Sequence, residues 1–202
     1  MMRPRLHGTD GIRGRIEAFD GDDVEALKAL IERRVLSNRS MRIIGEATGL
    51  FLVDDVGDSP LVMLGWDRRD GNAALVDALE SGLCASGCRT LRIGEVPTPG
   101  LHHAVLASAA DAGMMVTASH NPATDSGVKF FDSEGYKSMP EIEDRISSLA
   151  WDLADGSRAA PQENSESLET IDGLSLYRSA LKKRLQGFES LFNVDFETVD
   201  WG

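Results

Sequence analysis

Residues 117–127 read Thr117-Ala118-Ser119-His120-Asn121-Pro122-Ala123-Thr124-Asp125-Ser126-Gly127, followed by Val128-Lys129-Phe130-Phe131. A serine, an imidazole and an amide in succession, with a proline and a glycine limiting the backbone, suit a fixed reactive hydroxyl at Ser119. A serine hydrolase would need a base bonded to that hydroxyl and a third group orienting the base. His120 is the immediate neighbour of Ser119, and adjacent side chains point apart. The G-x-S-x-G nucleophile elbow is also absent. Phosphoryl chemistry asks instead for a hydroxyl able to hold a phosphate and for cations around the transferring group. Arg13, Arg69 and Lys129 answer that need, each in or just after a polar segment rich in glycine or proline.

Those polar segments, 7–14, 65–72, 95–100 and 117–127, fall where an α/β sheet collects function, in loops beyond the carboxyl ends of strands. The apolar pattern supports that placement. Val24, Leu27, Leu30, Ile31 and Val35 share one helical face after Asp22 and Asp23, and Met41, Ile44, Ala47, Thr48 and Phe51 share another. Leu61–Leu64 is a continuous apolar run, as in a strand buried on both faces. A helix through Leu75–Leu83, a strand at Thr90–Ile93 and a rigid loop at Val96–Pro99 come next. Helix 100–110, strands Ala112–Thr117 and Gly127–Phe131, and helix 140–149 complete the alternation. This order predicts a three-layer α/β/α sandwich with a mixed, largely parallel sheet over residues 1–151. Residues 152–172 read as an acidic linker or long loop, and 173–202 as a last helix and tail. The helix should place Leu174, Tyr177, Leu181, Leu185 and Phe188 on one side, either docked on the domain or in a homodimer contact.

The chain has 202 residues, 42% of them hydrophobic, and a formal net charge of −12. That balance opposes nucleic-acid binding. Arg3, Arg5, Arg13 and Arg15 against Asp10 nevertheless make the start basic, as an anion site would require. No apolar run reaches the length of a membrane span, and charges stand where a signal peptide would be apolar, so a cytoplasmic chain is expected. Cys84 and Cys88 read as small buried thiols. His102 and His103, at the head of a helix, read as structural.

Taken together, Gly8-Thr9-Asp10-Gly11-Ile12-Arg13-Gly14, Gly65-x-Asp67-x-Arg69, Pro97-Thr98-Pro99, Thr117–Pro122 and Ser126–Phe131 resemble the first domain of the α-D-phosphohexomutases. The GTDGIRG opening and the G-V-K-F-F ending look most like the phosphoglucosamine mutase branch, with phosphomannomutases and phosphoglucomutases as relatives. The resemblance implies that Ser119 carries a phosphoryl group given to a hexose or hexosamine phosphate, with the other phosphate of the bisphosphate returning to the serine. It implies that Lys129 and Arg13 flank the transferring group, with Lys129 a proton-transfer residue and His120 an acid/base or hydrogen-bonding partner. Asn121 and Arg69 would serve substrate binding, Asn121 by shaping the loop, and the Ser119 phosphate would be one ligand of Mg²⁺; the other reading of Asp67 and Arg69 is a structural loop pair.

The family's enzymes have four domains. The D-G-D-x-D-R metal loop, the G-E-x-S-G sugar loop and the phosphate clamp of the other three do not occur in this sequence. Phe19–Asp23 looks superficially like a metal loop, but it precedes a helix and lacks the terminal arginine. The expectation is therefore a phosphoserine domain incomplete as an enzyme, either a piece of a phosphohexomutase or a subunit completed by a chain that supplies the missing domains. A stand-alone non-catalytic module binding a phosphosugar or a protein is the alternative.

Overall fold

A computed structural model of the chain describes residues 3–159 and 167–192. The elements run β1 (Ile12–Ile16), α1 (Asp23–Arg33), β2 (Val35–Leu36), α2 (Asn38–Val56), β3 (Leu61–Trp66) and α3 (Asn72–Ala85). They continue with β4 (Arg89–Glu95), α4 (Thr98–Ser108), β5 (Ala112–Val116), β6 (Asp125–Asp132), α5 (Pro140–Ala154) and α6 (Gly173–Phe192). One sheet holds the strands in the order β2-β1-β6-β5-β3-β4. β3 runs parallel to β4 and β5, and β1 to β2, while β6 is antiparallel to both β1 and β5. The sandwich is thus mixed, with its one reversed strand at the centre.

Two apolar cores flank this sheet. Leu27 and Leu30 of α1, Ile43 and Ile44 of α2, Leu75 and Leu79 of α3, and Ile146 and Ala150 of α5 cover one face. Leu101, Ala104 and Val105 of α4 cover Met63, Met115 and Phe131 on the other. The central strands β3 and β5 are apolar on both sides because both sides are covered, which is why they lack alternation.

Local chemistry sets the helix starts. Asp22 caps α1 and exchanges hydrogen bonds with Glu25, and Ser37 with Ser40 does the same for α2. The D-x-x-E spacing of Asp22 and Glu25 is a capping signal in its own right, beyond the dipole argument for acidic residues at a helix start. α2 and α3 approach closely enough that a Cβ on Gly82 would strike the Arg42 carbonyl, and one on Gly45 the Leu79 carbonyl. α4 begins at Thr98, inside the expected rigid loop, since Pro99 in the first turn needs no amide hydrogen there. The two-residue β2 adds a strand to the expected set, being too short for any sequence period to register.

The edge strand β4 is not left bare. Leu168 N donates to Thr90 O at 2.8 Å and Ile171 N to Arg92 O at 2.9 Å. Buried Glu80 anchors this strap, accepting from Thr90 Oγ1 at 2.8 Å, from Ser167 Oγ at 3.0 Å and from Arg92. The end of a polar segment expected as linker therefore runs along β4 as an irregular strap, because its amides satisfy the open edge. From there Gly173 sits so close to β4 that a Cβ would lie 2.6 Å from Ile93 O. Leu174 packs on the second core and Tyr177 tilts against His103, with ring centroids 6.4 Å apart. Leu181, Leu185 and Phe188 remain exposed, so only the first part of the expected apolar face docks. The closing segment 193–202, expected as a tail, lies outside the described residues, as do 160–166 of the expected linker.

Cys88 is fully buried, and burial pushes its thiol up to about 12; Cys84 is half-buried. His102 lies edge-on to Phe131 at 6.3 Å, in keeping with a packing role. Among the described residues no helix is long and apolar enough to cross a membrane.

Candidate active site

Ser119 stands two residues beyond the point where β5 and β6 part, marked by Thr117 N donating to Gly127 O at 2.9 Å. Its side chain and that of His120 are exposed. Its backbone has φ of +54°, a left-handed conformation that a residue with a Cβ adopts at a cost. Such strain persists only where surrounding bonds over-determine it. Here Ser119 N donates to Thr117 Oγ1 at 2.9 Å, and Thr117 Oγ1 donates to Asp67 Oδ2 at 2.6 Å. Asn121 N donates to Ala118 O at 3.1 Å, and Asn121 Nδ2 to Asp125 Oδ2 at 3.0 Å, which closes the loop on itself. The amide of Asn121 therefore shapes the loop.

Lys129 and Arg13 come together on the neighbouring strands. Lys129 lies on β6 between Val128 and Phe130, whose side chains enter the first core, so its own emerges on the opposite face. Arg13 pairs with Gly127 across the β1–β6 ladder. Gly127 has to be glycine at this point: a Cβ there would collide with Ile12 O and lie 2.9 Å from Arg13 Cγ. Gly11, with φ of +85°, brings the preceding turn equally close, and its Cβ would lie 2.5 Å from Val128 O.

Sequence reasoning missed the group that gathers these cations. Asp10 Oδ2 lies 2.6 Å from Arg13 Nη2 and 2.9 Å from Lys129 Nζ, and Asp10 Oδ1 lies 2.5 Å from Lys137 Nζ. The Lys137 hydrogen bond, with those of Lys129, holds the Asp10 carboxyl down at about 2. One carboxylate thus balances three ammonium or guanidinium groups, leaving a local excess of positive charge. Its position three residues before Arg13, in a glycine turn, was the available signal. Arg13 Nε is buried and has no hydrogen-bond partner among the described residues.

Arg69 does not share that cluster. Its side chain, 9% exposed, lies against Asp67 and the backbone of the Ser119 loop. The structure accordingly brings Arg13 and Lys129 together through Asp10, and Ser119, Asn121 and Arg69 together through the loop. No set of three or more His, Cys, Asp or Glu side chains among the described residues could hold a metal ion. The described residues do not make a Mg²⁺ site by themselves.

Residues 4–155 match the family described as phosphoglucomutase/phosphomannomutase, alpha/beta/alpha domain I. The chain is 34% identical over 146 residues to the phosphoglucosamine mutase of Symbiobacterium thermophilum, covering 72% of this chain and 29% of that protein. With the phosphoglucosamine mutase of Ruminiclostridium cellulolyticum it is 29% identical over 196 residues, covering 96% and 38%. A putative phosphomannomutase from Thermus thermophilus superposes with a TM-score of 0.66 at 31% identity, covering 91% of this chain and 37% of that one. The chain therefore spans about a third of the length of the curated relatives it matches. Its sheet order, its glycine turns and these likenesses agree, and the chain belongs to the phosphoglucomutase/phosphomannomutase family as an α/β/α domain I.

Proposed function

We propose that this chain is the phosphoryl-carrying domain of a phosphohexomutase, with Ser119 as the carrier and a hexose or hexosamine phosphate as the substrate. The observation that carries the proposal is Ser119 itself, exposed in a strained left-handed conformation on a loop whose backbone is tied down. A hydroxyl carried on a backbone held in one place, beside strands bearing Arg13 and Lys129, is what phosphoryl transfer needs. Residues 1–151 form the domain, 152–172 connect it to the last helix, and that helix opens the segment 173–202. The partner is a chain or further domains that bind the sugar.

In the first step the bond between phosphorus and Ser119 Oγ breaks, and a bond forms between phosphorus and a hydroxyl oxygen of the sugar phosphate. His120 takes the proton of that hydroxyl. Lys129, resting as an ammonium against Asp10, gives a proton to Ser119 Oγ as it leaves. Arg13 and Lys129 offset charge on the transferring group. The reverse events at the other end of the bisphosphate restore the phosphoserine. Each proton moved in these steps passes through a side chain of this domain.

The test is intact-mass analysis of the chain after incubation with a hexose 1,6-bisphosphate. One phosphoryl group should be gained, lost in Ser119→Ala and kept in Ser133→Ala, at an exposed serine outside the site. A chain that gains no phosphoryl group at millimolar donor, or gains it equally in Ser119→Ala, would remove Ser119 from this role.

A further inference from the structure

The guanidinium of Arg69 reaches across from the turn between β3 and α3 into the loop that carries Ser119. Nη1 donates to three carbonyl oxygens, Asn121 at 3.2 Å, Pro122 at 2.7 Å and Asp125 at 2.9 Å. Nη2 donates to Ser119 O, and Nε donates to Asp67 Oδ2 at 3.0 Å. An arginine that binds a substrate phosphate presents its fork to the ligand. Both hydrogens of Nη1 and the single one of Nε are instead spent on protein acceptors. Four backbone carbonyls of one loop converge on this cation, that of Pro122 also accepting from Asp125 N at 2.9 Å.

The same turn grips the loop at its two ends. Asp67 Oδ2 also receives Thr117 Oγ1, which in turn holds Ser119 N. Asp67 Oδ1 accepts from Asn72 Nδ2 at 2.7 Å, and Asn72 Oδ1 accepts from Ser126 Oγ at 2.5 Å. Asn72 and Ser126 are fully buried, so this part of the network is shielded from water. From these contacts we infer that Arg69 is a positioning residue: it sets the conformation of residues 119–125, the strained Ser119 included, and does not bind the substrate phosphate. Its consequence for phosphoryl transfer rests on the proposed role of Ser119; its grip on the loop does not.

The neighbouring Arg68 provides the control, since its side chain is 90% exposed and pairs with Glu95, away from the loop. Arg69→Lys, Arg69→Gln and Arg68→Gln are compared in the full chain by amide hydrogen exchange and by phosphoryl labelling from a hexose 1,6-bisphosphate. Both Arg69 variants should raise exchange at the Asn121 and Asp125 amides by about tenfold or more while β3 and β5 keep their protection. Labelling of Ser119 should fall about a hundredfold, the scale of a reacting group displaced by an ångström. Lysine should not rescue either readout, because one ammonium cannot serve a planar array of acceptors, and Arg68→Gln should match the unsubstituted chain.

Unchanged exchange in Arg69→Gln overturns the inference whatever the labelling does. Loosened amides with undiminished labelling overturn it too, by showing that the grip is not needed. If the unsubstituted chain takes no label, the proposed role of Ser119 fails, and the exchange measurement alone decides whether Arg69 holds the loop.

Discussion

The ammonium of Lys129 lies 2.9 Å from Oδ2 of Asp10, the same oxygen that receives Arg13 at 2.6 Å. Two cations that would repel each other are thereby held on adjacent strands, as the proposed phosphoryl transfer requires. With Lys137 on the other oxygen, Asp10 is the hub of the site.

Replacing that hub should cost stability as well as activity. Asp10→Asn keeps the shape and leaves the largely buried Arg13 and Lys129, and the exposed Lys137, without their shared anion. The loss should be about 1–2 kcal/mol in urea unfolding at pH 7, reduced from the fully buried case because the group is partly wet. The sign of the pH effect is set by a carboxyl held at about 2 against an ordinary 3.8. Its contribution is complete above pH 3.8 and disappears as pH falls toward 2. Wild type and Asp10→Asn should therefore converge in acid; a constant gap between them would place the effect elsewhere.

Ser119 should trade stability for its function. Its φ of +54° is ordinary for glycine and strained for alanine or serine. Ser119→Gly should be about 1 kcal/mol more stable than Ser119→Ala in thermal or urea unfolding, although both lose the hydroxyl. Equal stabilities would mean that the loop relaxes to another conformation when the side chain is changed.

The sequence made some of this legible and hid the rest for physical reasons. Lys129 could be set on a strand because strands buried on both faces have a strong apolar signature, and Ser119 and Arg13 stood out in polar, glycine- or proline-rich segments; their roles came from the resemblance. Arg69 was visible as a cation in a loop, yet its partners, Ser119 and Asn121, lie 50 and 52 residues away. Only the packing of two loops at one end of the sheet decides that it meets carbonyls. Asp10 counted only as a charge against the basic residues around it, and its role as their common counter-ion needed the β1–β6 register. The apolar spacing of α6 was real, but periodicity reports a face and not what covers it. Leu174 found β4 and α4, whereas Leu181 and Leu185 of the same face stay exposed.

The glycine contact between α2 and α3 should be among the most sensitive in the fold. A Cβ at Gly82 would meet backbone, at Arg42 O and at Glu46 N at 2.6 Å, so no flexible side chain can yield. Gly82→Ala, which raises intrinsic helix propensity, should nevertheless destabilise the chain by about 2–3 kcal/mol through forced separation of the helices. Gly57→Ala is a contrasting case, with open space at the Cβ but φ of +109° and ψ of −158°; its cost, about 1–3 kcal/mol, is backbone strain alone. Urea unfolding of the pair gives the comparison, and a Gly82 variant at least as stable as wild type would contradict the contact.

Acid should weaken the fold well before Asp10 titrates, through His7. Burial first, and then the charge of Arg5, lower its imidazole from 6.5 to about 4, with Asp144 opposing. The native ring thus stays neutral where the unfolded one already binds a proton. Stability from this group is complete above pH 6.5 and is lost as pH falls through 4, amounting to about 2–3 kcal/mol. Glu46, whose carboxyl burial pushes up, contributes with the opposite sign, so the total slope mixes the two. A difference measurement separates them. His7→Asn removes the titration and retains a polar group near Ser147, to which His7 Nδ1 lies at 3.4 Å. The gap in unfolding free energy between wild type and His7→Asn should shift in favour of the variant from pH 7 to pH 4. A gap that does not change over that range would show that the ring is protonated in the native chain as readily as in the unfolded one.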